Sequence, residues 1–136
     1  MTKTKIKALK RAYQEHADAE DTFFPSKRDF LYWFTFINSA VFEGCLKRPD
    51  LEIARLRGMI GQAVGDIETG KTLIRLKDRF TDKKTRTITA SSKQMFINTV
   101  AHEMVHCLEF QIHGTMKHGE FYKIWKKKFK EMDITL

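Results

Sequence analysis

The residues whose types and spacing suggest chemistry are His102, Glu103 and His106, in the stretch His102-Glu103-Met104-Val105-His106, which reads HExxH. On a helix, residues four apart sit one turn above each other on one face, so the two imidazoles can converge on a single metal ion. Glu103 falls at the edge of that face, where a carboxylate can take a proton from an attacking water, the general-base role of this spacing in hydrolytic zinc sites. Such a pentapeptide arises by chance in roughly one random chain in a hundred, so the surroundings must carry the reading further. A catalytic zinc normally takes three protein ligands. His113 shares the strip, but at about 1.5 Å per residue it lies roughly 10 Å along the axis from His106. By reach, His118 is preferred over His113, His16 or an acidic residue, because Gly114 stops the helix and residues 115 to 117 let the chain turn back.

The element that positions the pair is a helix from Ser91 or Ser92 to about His113. Ser91 and Gln94 form a capping box at its start, and Gly114 ends it. At about 100° per residue, Phe96, Ile97, Val100, Ala101, Met104, Val105, Cys107 and Leu108 share one apolar arc. Asn98, His102, His106, Glu109 and His113 form a strip on the other side, facing a cleft or solvent. Glu109 is either a partner that orients an imidazole or a surface carboxylate. A second helix opens at His118-Gly119-Glu120-Phe121 and runs to about Met132, with Phe121, Ile124, Trp125, Phe129 and Met132 on its apolar face. Its lysines fall mostly on the opposite face.

Upstream, residues 3 to 20 read as a helix with Ile6, Leu9, Tyr13 and Ala17 inward and His16 at the surface or as a cap. Pro25 and Ser26 open another helix to about Glu43, whose aromatic face (Phe30, Trp33, Phe34, Ile37, Val41, Phe42) reads as core, over a cofactor box or a nucleic-acid stacking platform. Leu51 to Arg57, Gly61 to Ile67 and Lys71 to Leu76 alternate and are bounded by glycines, as in a small antiparallel sheet with hairpin turns. Thr72 to Leu76 is the cleanest strand and could hold extended peptide by main-chain pairing if it lies at an edge, although the sequence does not tell which strand is the edge. Residues 77 to 90 are polar and basic, with an extra strand expected at Thr85 to Thr89. They form either a solvated loop or a rim of the cleft.

At 136 residues the chain is expected to form one domain, 1–136, with a core that needs no staples. Its 42% hydrophobic and 31% charged content is that of a soluble globular protein, and no apolar run reaches the roughly 18 residues of a membrane span. Lys10, Arg11, Gln14 and Glu15 interrupt any signal region, so a cytoplasmic protein is expected. Cys45 and Cys107 make no CxxC pair, and both are expected to be buried packing residues. The net charge of +8 and pI near 9.6 suit contact with DNA or other nucleic acid, although lysine-rich helix faces are usually just solvated. Nothing in the sequence fixes an oligomeric state.

HEMVH, then twelve residues on from His106 the His118-Gly119-Glu120-Phe121 stretch, resembles the HExxH and HGxxF-like pattern of the SprT-like zinc metallopeptidases, with the aromatic one place early. Asn38 followed by Phe42-Glu43-Gly44-Cys45-Leu46 looks like the family's Asn and F-x-G-x-L segment. The resemblance covers roughly residues 26 to 130. It implies a zincin-like α+β fold with N-terminal helices, a small antiparallel sheet, the HExxH helix and a C-terminal helix. It also implies Zn²⁺ on His102, His106 and His118, with Glu103 as base. Many relatives carry a C-terminal zinc ribbon whose cysteines are missing here, so a minimal catalytic domain is expected. The function expected is a zinc endopeptidase of protein substrates, including proteins bound to nucleic acid. The rivals are a basic binding module on a zincin scaffold with non-catalytic zinc, and a hydrolase of some other amide. An intact Glu103 favours the enzyme, since a structural site has no need of a base. For an oxyanion stabiliser, Tyr122 and Arg86 are both available, and spacing selects neither.

Overall fold

The computed structural model describes residues 3–18, 21–86 and 89–136. Four helices and a small mixed sheet give an α+β fold. Helix α1 (Lys3–Gln14) buries Leu9 and Tyr13, and helix α2 (Lys27–Val41) buries Phe30, Trp33, Phe34, Ile37, Ala40 and Val41. The aromatic face of α2 is therefore core. Ser26 caps α2 through the Asp29 N–H, and the Asp29 carboxylate accepts from the Ser26 N–H in return. Helix α1 stops at Gln14, followed by turns at 15–18, and the end expected for it near residue 20 lies outside the described residues.

The segment after α2 is held by Asn38. Its backbone carbonyl accepts from the N–H groups of Phe42 and Gly44, at 3.1 and 2.9 Å. Its side chain pairs in both directions with Leu46, Nδ2 donating to the carbonyl at 3.0 Å and Oδ1 accepting from the N–H at 3.2 Å. Phe42 and Leu46 are thereby turned into the core while residues 43 to 45 face outward. Cys45 is exposed for that reason, contrary to the buried position expected of it; Cys107 is buried.

The sheet has strands β1 (Asp50–Ala54), β2 (Gly61–Gly65) and β3 (Thr72–Lys77) in the order β1-β3-β2. β2 and β3 form the expected antiparallel hairpin, with Gly61 opposite Leu76 and Gly65 opposite Thr72. β1, however, pairs with β3 in parallel, from Asp50 opposite Leu73 to Ala54 opposite Lys77, so the sheet is mixed and not antiparallel throughout. The most deeply alternating strand takes the centre: Thr72, Ile74 and Leu76 of β3 are all buried. With both edges of β3 paired, Thr72–Leu76 has no free edge to hold peptide, and the edge question left open by the sequence falls to β2 beside the long helix. Strands β4 (Lys83–Lys84) and β5 (Thr89–Ala90) form a separate two-residue ladder. Of the strand expected at Thr85–Thr89, Thr89 is in a ladder and Thr85 and Arg86 are not, while residues 87 and 88 lie outside the described residues.

Helix α3 (Ser92–His113) is the centre of the packing, against β2 and β3 on one side, α2 on another, and α4 (Glu120–Glu131) near its C-terminal end. Its N-cap is Ser91, paired with Gln94 as the sequence indicated. The same two side chains donate to carbonyls at the end of α1, Ser91 Oγ to His16 at 2.6 Å and Gln94 Nε2 to Tyr13 at 3.2 Å. Gly114 closes the helix at φ 73°, a left-handed cap that a residue with a Cβ adopts only with strain. The apolar arc of α3 is buried throughout. On α4 the inward side chains are Tyr122 and Phe129, and Ile124, expected on the apolar face, is 51% exposed.

Replacing Asn38 by Ala removes both Leu46 hydrogen bonds and is expected to lower the unfolding free energy by about 1–3 kcal/mol. Urea denaturation measures it; a loss below about 0.5 kcal/mol would mean that the loop holds itself.

Candidate metal centre

The three histidines come from two places. His102 and His106 sit one turn apart on α3, and His118 comes from the irregular stretch between Gly114 and the start of α4. His118 thus precedes the helix it was expected to open. The Nε2 atoms are 3.2 Å apart for His102 and His106, 3.3 Å for His106 and His118, and 3.4 Å for His118 and His102. Nitrogens bound tetrahedrally to one zinc at 2.0–2.1 Å are separated by roughly 3.3–3.4 Å. The three imidazoles therefore fit the edges of such a site, and they form a group able to hold a metal ion. His16 lies at the other end of α3, beside Ser91 and Trp33, and His113 packs on Phe121.

The electrostatics suit metal binding, which needs unprotonated imidazoles. Burial, and then the neighbouring His106, His118 and Lys126, push His102 down to about 4. Burial and His118 also lower His106, with Glu109 acting against them. Glu103 is buried beside the cluster, Oε1 lying 3.8 Å from His102 Nε2, and desolvation raises its carboxyl to about 7. A dication bound here would favour the charged carboxylate and offset that rise. Cys107, on the inward side of the same turn, is pushed up to about 12, chiefly by burial, and stays a protonated packing group.

Tyr122 of α4 is the residue whose place here the sequence left open. Its hydroxyl is 3.2 Å from His102 Nδ1, and its ring stacks on His106 at 5.7 Å and meets His118 edge-on at 4.8 Å. A metal on Nε2 of His102 would leave the proton on Nδ1, within reach of Tyr122 Oη as acceptor. Arg86, the other residue considered for oxyanion stabilisation, is exposed and does not line the cavity beside His102. Glu109, left between two roles, is buried, and its Oε1 accepts from the Lys117 N–H at 2.6 Å.

A cavity of about 340 Å³ opens from His102 and Glu103 along the N-terminal half of α3. Met59, Ile60, Met95, Thr99 and Leu136 supply much of its wall, and Lys83 also borders it. The basic segment before α3 therefore does rim the cleft. Gly61 is the close-approach point: a Cβ there would lie 2.7 Å from Thr99 Cγ2 and 3.2 Å from Glu103 Cγ. Sequence reading treated Gly61 only as a strand boundary, and its proximity to Glu103 appears only when β2 is laid along α3.

An HExxH stretch on one helix, a third histidine from the following loop and a buried glutamate beside them thus stand together on an α+β scaffold. The chain belongs to the SprT-like family, whose model matches residues 31–135, nearly its whole length. That membership associates it with metallopeptidase-like activity. Among curated proteins none gives a match. No described helix is long and apolar enough to cross a membrane.

The purified protein is expected to carry about one metal ion per chain, as a three-ligand site does. By elemental analysis His102→Ala, His106→Ala and His118→Ala should each lose it, and His16→Ala and His113→Ala should keep it. Full retention in His118→Ala would remove that residue from the ligand set.

Proposed function

We propose that the chain is a zinc-dependent endopeptidase that hydrolyses peptide bonds of protein substrates. The observation that carries this reading is the buried Glu103 carboxylate at the edge of the three-histidine cluster, facing a cavity large enough for a substrate side chain. A site that held metal for structure alone would need no acid there, which disfavours the binding-module reading. Zn²⁺, when bound, supplies Lewis acidity toward the scissile carbonyl and lowers the pKa of water. His102, His106 and His118 would hold it through Nε2. Glu103 takes one proton from the attacking water and returns it to the departing amine nitrogen, so the carboxylate is regenerated each turnover. Tyr122 Oη, beside Nδ1, orients the ring of His102 so that Nε2 faces the other two imidazoles.

The free edge of β2 suits an extended peptide, by the general mode of adding a strand to a sheet edge. The apolar wall of Met59, Ile60, Met95 and Leu136 supports acceptance of an apolar side chain next to the scissile bond. Charge supports substrates held on nucleic acid: the net +8 includes exposed Lys123, Lys126 and Lys127 along α4, and neutralising phosphate needs no sequence readout.

Glu103→Gln is expected to abolish cleavage of an unfolded protein such as casein while the bound zinc remains near one equivalent; persistent cleavage at the wild-type rate would rule out Glu103 as the base. Gly61→Ala should keep the metal but reduce turnover by roughly 10- to 100-fold, because the new methyl displaces Thr99 or Glu103. Steady-state rates together with zinc content check this, and an unchanged rate would show that β2 yields without moving the glutamate.

A further inference from the structure

Glu109 lies one turn past His106 on α3 and is 6% exposed. A buried carboxylate is costly unless it is paired or hydrogen-bonded. The partner here is a backbone donor: Lys117 N–H reaches Glu109 Oε1 at 2.6 Å, a close hydrogen bond to a carboxylate acceptor. Lys117 immediately precedes His118, the one metal-facing histidine outside regular structure. Among the described residues, no backbone–backbone hydrogen bond engages residues 115 to 118, between the Gly114 cap and the Gly119 carbonyl that starts α4. The stretch that carries His118 is thus tied to α3 through the Glu109 side chain.

We infer that Glu109 is a positioning residue of the metal centre: by holding Lys117 N–H it fixes the loop so that His118 Nε2 stands against His102 and His106. Tyr122 limits the ring of His118 from one side, and Glu109 limits its backbone. The chemistry is that of an outer partner orienting a ligand, achieved here through a main-chain bond to the preceding residue and not through the imidazole itself. A second consequence follows from charge. Glu103 and Glu109 are the two buried acids among the described residues, and both lie beside the cluster, where three neutral imidazoles leave a dication uncompensated. Reach and charge therefore have to be separated by experiment.

The inference rests on the three-histidine metal site of the proposed function and not on peptide cleavage. The test is Zn²⁺ affinity by competition with a chromogenic chelator, on the full chain and its variants Glu109→Gln and Glu109→Asp. Gln keeps the reach and an acceptor oxygen for Lys117 N–H but loses the charge. Asp keeps the charge but is one methylene too short. Glu109→Asp is expected to bind Zn²⁺ roughly 10- to 100-fold more weakly than the wild type, and Glu109→Gln to stay within about threefold of it. In a His118→Ala background, Glu109→Asp should change the residual affinity by less than about twofold, since the residue it positions is gone. Any outcome in which Asp is not weaker than Gln overturns the inference, as does a full Asp effect without His118. A wild type that binds no Zn²⁺ overturns it together with the metal reading. Zinc binding with the predicted Asp–Gln difference but no proteolysis would defeat the peptidase proposal and leave this inference standing.

Discussion

Three imidazole nitrogens held within 3.4 Å of one another are the constraint on which the rest of the structure depends. Lone pairs at that distance repel unless a cation stands between them, and any proton shared among them adds charge to a buried place. The fold resists both by rigid placement. α3 is packed on nearly all sides, which fixes His102 and His106 relative to each other by helix geometry alone. Tyr122 fills the space behind the rings. The low pKa of His102, caused first by burial, is the electrostatic expression of the same arrangement.

The polar strip of α3 shows what this placement costs the fold. Asn98, His106 and Glu109, with Glu103 at their edge, are all buried, so the middle of the face that helical periodicity marked as polar is enclosed, while His113 at its end is exposed. Among the described residues the Nδ1 of His106 has no hydrogen-bond partner, and burial lifts Glu103 to about 7. Groups left this way are destabilising in a purely structural protein. Their concentration beside a cavity is the pattern of a functional site. The stabilising counterweight is apolar: Phe96, Ile97, Val100, Ala101, Met104 and Val105 lie fully buried on the opposite arc of the same helix.

Helix α3 also organises its neighbours. Its N-cap residues bind the end of α1, its flank touches the glycines of β2, and Gln111 near its end exchanges two hydrogen bonds with the backbone of Lys47. Phe23 and Phe80, joined by a pair of backbone hydrogen bonds, both pack on Phe96. The elements that border the cavity are thus referenced to the helix that carries the histidines. A small domain with one dominant helix can hold a site in this way without disulfides.

What the sequence by itself determined was local. The helix start at Ser26, the capping box at Ser91, the stop at Gly114, the apolar arc of α3 and the HExxH spacing all follow from interactions within a few residues, and they stand in the structure as read. His118 was reachable by the same means, because loop length limits which histidine can return to the first two. Tertiary structure decided the rest. Strand order is one case: alternation marks β3 as a strand, but only the pairing of both its edges, with β1 and β2, puts it at the centre, in parallel with β1. Cys45 and Ile124 are exposed because of how a turn and a helix are rotated against the core, which composition does not encode. The contacts of Tyr122 with His102, Glu109 with Lys117 N–H and Gly61 with Glu103 bring together groups from different elements. Such pairings depend on packing angles, and the hydrophobic pattern of a single chain specifies a face without specifying what meets it.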